Sequence, residues 1–278
     1  MLRQRVITAL LILLIFLCTL FAAPGFVFVI LITILLLISA WEWADIAYWH
    51  RPMQRFIYVL ATGLLLSVVV VIADISPKLT MNTEIIRYLL IISVSWWGLS
   101  LLWLQSYPAS AVLWSRRWVL ALVGWLILIP AWAALLYLHG LKHGNWLIVL
   151  VVAIVITADV GAYFSGKVLG KNKLAPIISP GKSWEGFCGG LIATAFLALS
   201  VAWMLDFSQW IQLVTVIVLV ALASIVGDLV ESMAKRNRGI KDSGSMLPGH
   251  GGFLDRLDSL TAAVPVFALA IISSDWGM

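Results

Sequence analysis

The sequence predicts an all-α, polytopic integral membrane protein of about nine transmembrane helices with a cytoplasmic N-terminus. Three observations predict it. Of 278 residues, 63% are hydrophobic and only 11% are charged, whereas a soluble domain carries about 25% charged residues. Charge this sparse cannot keep a globule in water, so lipid is the main solvent, and nothing in the charge pattern points to a nucleic-acid partner. Next, nine stretches reach the roughly 20 mostly apolar residues that a membrane helix requires. Finally, nine spans with the N-terminus inside place 15 of the 18 Lys and Arg residues on the cytoplasmic side, a strong positive-inside bias. The 15 Trp and 6 Tyr suit the interface, where amphipathic rings anchor helices.

The spans lie near 5–23, 25–47, 56–74, 86–105, 118–138, 146–165, 187–205, 210–228 and 257–275. The first follows Arg3 and Arg5 and ends at Pro24. It reads as a retained helix, because Leu20 and Phe21 are too large for a signal-peptide cleavage site. Residues 1–145 hold spans one to five and no motif attachable to chemistry. Within them, Glu42 and Asp45 lie three apart on one face at the inner end of the second span. They could coordinate something, but carboxylates at span ends more commonly sit at the interface and orient the helix. Residues 146–278 form the candidate catalytic region, with cytoplasmic loops at 166–186 and 228–257. Cys18 and Cys188 have no metal or redox spacing.

The sixth span carries Asp159 about two turns before Lys167. An intramembrane carboxylate faces a wet cavity or a partner. Gly161 to Lys167 approximates a phosphate loop but fails at Val168, where a hydroxyl is required, and it follows a membrane helix instead of a strand. The next loop is basic and turn-rich: Gly170-Lys171-Asn172-Lys173, then Ser179-Pro180-Gly181-Lys182-Ser183-Trp184-Glu185-Gly186. Its lysines satisfy the positive-inside bias and could meet anionic headgroups. Lys182 is the better candidate for a site, since Ser183 to Gly186 resembles a helix N-terminus, where free N–H groups favour an anion.

The eighth span exits through Asp228, Glu231, Ser232 and Lys235, which share one helical face. Arg236, Lys241 and Asp242 follow, then the turn-rich Pro248-Gly249-His250-Gly251-Gly252. The ninth span opens Phe253-Leu254-Asp255-Arg256-Leu257-Asp258, with Asp255 and Asp258 expected on one face. Two acids ending one span thus stand ready to meet two opening the next. Hard oxygen ligands beside fixed cations suit Mg²⁺ held together with a phosphate substrate. Acids in a first helical turn also stabilise the helix dipole, but that does not account for Asp228 and Glu231 at a C-terminal end. His250 has no Cys or second His near it, which argues against zinc.

Ser232 to Arg236, Lys241-Asp242 and Pro248 to Asp258, with their fixed spacing, resemble the signature of the phosphatidate cytidylyltransferases, the CDP-diacylglycerol synthases. Ser179 to Gly186 is similar to that family's upstream motif. The resemblance is strong over about 157–260. It implies attack of phosphatidic acid on the α-phosphorus of CTP, giving CDP-diacylglycerol and pyrophosphate, with Mg²⁺ required and a second, monovalent cation such as K⁺ able to share the site. It also implies a homodimer in a bacterial-type inner membrane with a cytoplasmic active site. Asp228 and Asp255 match the family's metal-binding acids, with Asp258 and Glu231 as possible additional ligands. Lys235, Arg236, Lys241 and Arg256 are candidates for the triphosphate or lipid phosphate, with Asp242 and His250 beside them. Asp159, Lys167, Lys182, Ser183, Glu185 and Ser232 are the substrate-binding candidates.

Two other classes compete. A CTP-dependent polyprenol or lipid kinase would transfer the γ-phosphate and release CDP. A transporter or channel with an acidic ion site would show flux without CTP turnover, and it leaves the His-Gly-Gly and Asp-Arg-x-Asp order unexplained, as does a purely structural scaffold.

Overall fold

Each apolar stretch becomes a helix because lipid offers no partner for backbone N–H and C=O groups, which must then be satisfied within the segment. The computed structural model describes residues 2–246, 251–274 and 276, with side chains from residue 11 onward. In chain order the helices are α1 (Leu2–Phe21), α2 (Gly25–Ile46), α3 (Pro52–Ile72), α4 (Thr83–Gln105), a short α5 (Ala111–Trp114), α6 (Arg117–Gly140), α7 (Gly144–Leu169), α8 (Trp184–Met204), α9 (Trp210–Arg238) and α10 (Asp258–Ser273). The nine expected spans correspond to these helices with α5 set aside. Among the described residues, seven helices are long and apolar enough to cross a membrane, and Leu11–Phe21 and Asp258–Ser273 are shorter apolar helices.

Local chemistry sets the ends. Pro52 opens α3, where its missing N–H costs nothing. Asn82 caps α4 by accepting from the Glu84 and Ile85 amides at 3.0 and 3.2 Å. Gly239, at φ 78°, ends α9 in the left-handed region, and the Gly239 and Ile240 amides bond back to Arg236 and Lys235.

Helix α6 is the hub, with 72% of its apolar window buried against 17% for α3. Trp43 of α2 and Tyr58 of α3 anchor to it, donating to the Leu120 and Ala121 carbonyls at 2.7 and 2.8 Å. Large apolar side chains such as Leu64, Val71, Phe196 and Trp203 point outward, where lipid replaces water and exposure carries no hydrophobic penalty. Helices α7 and α8 approach backbone to backbone: a Cβ on Gly190 would stand 2.7 Å from the Ala158 carbonyl oxygen. Helices α9 and α10 do the same, since a Cβ on Gly227 would stand 2.5 Å from the Asp258 carbonyl oxygen. Small residues at crossings allow such contacts in lipid, where dispersion takes over from hydrophobic drive.

Three expectations are corrected. The segment expected as a loop from 228 begins as helix, because α9 continues to Arg238. Hydropathy falls at Asp228, but Leu229, Val230, Met233 and Ala234 stay buried and the Glu231–Lys235 pair supports the turn. At 29 residues, α9 is about 43 Å long, longer than the roughly 30 Å hydrocarbon core, so it must either tilt or extend past the core. The loop expected at 166–186 is largely structured: α7 runs to Leu169, then β1 (Lys173–Ala175) and β2 (Ser179–Ser183) form an antiparallel hairpin, Lys173 opposite Ser183. Asp255 and Asp258 do not share a helix face. Asp255 sits in a 3-10 turn, Leu254–Arg256, ahead of α10.

A Gly227→Val substitution should force α9 and α10 apart and cost about 1–3 kcal/mol. Thermal unfolding in detergent would register it as a lower midpoint and a smaller monodisperse fraction.

Candidate active site

The continuation of α9 beyond the apolar core carries Asp228, Glu231, Ser232 and Lys235 on one face, and three neighbours close on it. The β-hairpin brings Lys182, whose Nζ lies 2.5 Å from Asp228 Oδ2. The 3-10 turn brings Asp255, whose Oδ1 lies 2.5 Å from Lys235 Nζ. Helix α10 brings Asp258 across the Gly227 contact.

At the centre is a buried triad. Lys235 bridges Asp255 and Glu231, the latter at 3.0 Å, and the three side chains are 7%, 8% and 4% exposed. Asp255 also accepts from the Ser243 amide at 3.1 and 3.0 Å on its two oxygens and from the Gly252 amide at 2.8 Å. Burial alone would raise its pKa, but the Lys235 ammonium and these amides win, holding the carboxyl below its usual range. Glu231 Oε1 is less well served. It is within ion-pair reach of Lys235 yet makes no hydrogen bond of acceptable geometry. Ser232 Oγ donates to Asp228 Oδ1 at 3.2 Å. Asp258 Oδ1 accepts from the Ser259 amide at 2.7 Å.

The upstream motif is anchored to this face. Ser183 caps α8, accepting from the Gly186 amide at 3.1 Å, which bears out the reading of Ser183–Gly186 as a helix start. Glu185 ties the hairpin base, accepting from Asn172 Nδ2 at 2.8 Å and from the Asn172 amide at 3.2 Å. Arg236 holds the hairpin turn: Nε donates to the Ile178 carbonyl at 3.1 Å and Nη1 to the Ile240 carbonyl at 3.0 Å. Asp159, on α7, is exposed and within electrostatic reach of Asp228 and Lys182.

Several candidates stand apart. Lys167 is exposed and lies over the Tyr163 ring, 5.8 Å from its centroid. Lys241, Asp242 and Arg256 are exposed on the loop and turn flanking the triad. His250 lies outside the described residues.

Sequence reasoning missed Glu42. Expected at the interface, it is 2% exposed. Its Oε2 accepts from Ser243 Oγ at 2.9 Å and the Leu254 amide at 2.8 Å, and its Oε1 from the Phe253 amide at 3.0 Å. Only spatial pairing across some two hundred residues reveals that role. Asp45, its companion, bonds Arg55 and His50 beside the end of α9, where Tyr48 Oη donates to the Asn237 carbonyl.

Among the described residues, no three His, Cys, Asp or Glu side chains already converge on one ion position. The donor set nevertheless fits a hard divalent cation. It is all carboxylate, it comes from two facing helix ends and a turn, and it includes Glu231 Oε1, a buried oxygen paired with Lys235 but without a well-formed hydrogen bond.

A sequence model of the cytidylyltransferase family matches residues 3–273. The chain belongs to this family. It is 42% identical over its whole length to a phosphatidate cytidylyltransferase of Pseudomonas aeruginosa, covering 99% of that protein. It is 40% identical to one of Haemophilus influenzae, over 96% of this chain and 98% of the relative. A Staphylococcus aureus protein of the same name is 44% identical over 135 residues, 48% of this chain and 52% of its own. The match to the family runs through α2 and Glu42 as well as the charged face of α9.

Replacing Lys235 by Met should strand two buried carboxylates and destabilise the protein by about 3–5 kcal/mol. The same change at Lys182, whose ion pair is 28% exposed on each side, should cost at most about 1 kcal/mol. Unfolding of both variants in one detergent tests the contrast.

Proposed function

We propose that this protein transfers the cytidylyl group of CTP to phosphatidic acid, forming CDP-diacylglycerol and pyrophosphate in phospholipid synthesis. Full-length similarity to phosphatidate cytidylyltransferases supports the reaction. The observation that carries the placement is the buried Glu231–Lys235–Asp255 triad facing Lys182 and Asp228.

The chemistry follows from the substrates. Both are polyanions, so charge must be neutralised before they approach. The attacking group is a phosphate monoester with a second pKa of about 6. It is largely deprotonated at neutral pH, so no general base is needed. Its oxygen forms a bond to the α-phosphorus, the bond to the β-phosphoryl oxygen breaks, and pyrophosphate leaves with the electron pair. Asp228 and Asp255, with Asp258 and Glu231, would hold Mg²⁺, and a monovalent cation such as K⁺ can share the site. Bound there, Mg²⁺ supplies charge neutralisation on the phosphates.

The chain's own side chains bind and orient. Lys182 sits at the outer edge of the cluster on a short hairpin, where its ammonium can turn from Asp228 to a phosphate. Lys241 and Arg256 flank the triad and draw the triphosphate or lipid phosphate. Arg236 acts differently from the expectation, fixing the hairpin turn that presents Lys182. The acyl chains of phosphatidic acid remain in the bilayer beside α7 and α8, and CTP enters from the cytoplasm. The positive-inside bias supports that orientation, and the bacterial relatives support a bacterial-type inner membrane. A homodimer is the expected assembly.

Purified, lipid-reconstituted protein given CTP, phosphatidic acid and Mg²⁺ should release pyrophosphate and make CDP-diacylglycerol. Release of CDP with a phosphorylated lipid would instead mark a kinase, and a folded sample making neither product would sink the reading. Asp255→Asn should lose at least about a hundredfold in turnover while remaining folded. Near-normal activity would remove Asp255 from the metal set.

A further inference from the structure

Glu42 has no place in the chemistry above, yet it is a buried carboxylate on a membrane helix, an arrangement costly enough to mark function. Its partners explain it. The loop and turn that carry Asp255 alternate their donors between two acids. The Gly252 amide goes to Asp255, and the Phe253 and Leu254 amides go to Glu42. Ser243 serves both, its N–H on Asp255 and its hydroxyl on Glu42. Gly244 and Gly252 leave room for the Glu42 carboxylate: a Cβ on Gly252 would stand 2.7 Å from Oε2, and one on Gly244 would collide with Oε1.

We propose that Glu42 is a positioning residue for cytidylyl transfer: from α2 it clamps Ser243 and the Phe253–Leu254 backbone so that the Asp255 carboxylate is held against Lys235. This role rests on the cytidylyltransferase reading. It uses both carboxylate oxygens, each as an acceptor. Gln keeps one acceptor oxygen and turns an NH₂ group toward donors, so one side of the clamp must open. Ser243→Ala removes one bond and leaves the two backbone bonds.

The test compares wild type, Glu42→Gln, Ser243→Ala and the double variant, all full-length in lipid nanodiscs, with turnover expressed per folded molecule. Glu42→Gln should lower kcat at least about tenfold, with KM for phosphatidic acid within about twofold of wild type. Ser243→Ala should fall less, and the double variant should fall less than the product of the two single losses. A purely structural role would reduce the folded fraction and leave kcat per folded molecule unchanged. Hydrogen exchange supplies a readout apart from activity: the Phe253 and Leu254 amides should exchange at least about tenfold faster in Glu42→Gln, while α6 stays protected.

Wild-type kcat or unchanged exchange in folded Glu42→Gln overturns the proposal. Where Glu42→Gln does not fold, Ser243→Ala decides, and unaltered kcat in that variant overturns it. A wild type that makes no CDP-diacylglycerol defeats the functional reading and this role with it, whereas an active wild type with an equally active Glu42→Gln defeats this role alone.

Discussion

The Lys235 ammonium, buried between Glu231 and Asp255, is the interaction on which the rest of the site depends. Ions taken from water lose several kcal/mol of hydration each, and mutual attraction repays this only where the remaining lone pairs are also satisfied. Asp255 meets that condition, with amide donors on both oxygens. Glu231 does not, since its Oε1 lacks a hydrogen bond. The triad therefore holds one well-compensated carboxylate and one under-compensated one, separated by a single cation. With Asp228 and Asp258 beside the triad, carboxyl groups outnumber ammonium groups at the point where helices α9 and α10 meet. Such a site attracts cations, and polyanions can enter it only in the company of cations.

The helices are arranged to deliver this charge without exposing it to lipid. Helix α9 is longer than the hydrocarbon core is thick, and beyond Asp228 it keeps one apolar side packed through Leu229, Val230, Met233 and Ala234 while the other carries the charges. Close backbone contact at Gly227 brings Asp258 alongside Asp228. The hairpin, pinned by Arg236 at Ile178 and by Glu185 at Asn172, carries Lys182 to the same face. Each positioning bond joins an element that sequence alone could name to one it could not.

Much of this was legible in the sequence, for stated physical reasons. Spans are readable because lipid demands runs of apolar residues, and the observed helices start and stop within a few residues of the expected ones. The exception, the end of α9, fails for the same reason: hydropathy reports solvent, and the helix outlasts the apolar run. The acids of α9 were legible as one face because helical spacing is fixed. Asp255 and Asp258 were misassigned to a shared face because a 3-10 turn intervenes, and its cause is tertiary: amides of 243 and 252 draw Asp255 back toward Lys235. The strands at 173–183 were hidden by their Pro and Gly content, which reads as loop. Arg236 looked like a phosphate ligand, whereas its guanidinium is committed to two carbonyls. That distinction depends on geometry.

Glu42 shows why the division at residue 145 is one of composition and not of mechanism. By motif content the first five spans look like an anchor for a catalytic second half. Yet an acid within them accepts three hydrogen bonds from the loop and turn bearing Asp255, and Trp43, its neighbour on α2, is fixed to the central helix α6. A carboxylate held by one helix of the first half thus shares Ser243 with a carboxylate of the second. Displacing α2 by even 1 Å would break bonds of 2.8–3.0 Å at Glu42 and release the turn that aims Asp255. The first half is therefore bound to the site's geometry by hydrogen bonds too short to tolerate independent motion, and the two halves must fold against each other before the site exists.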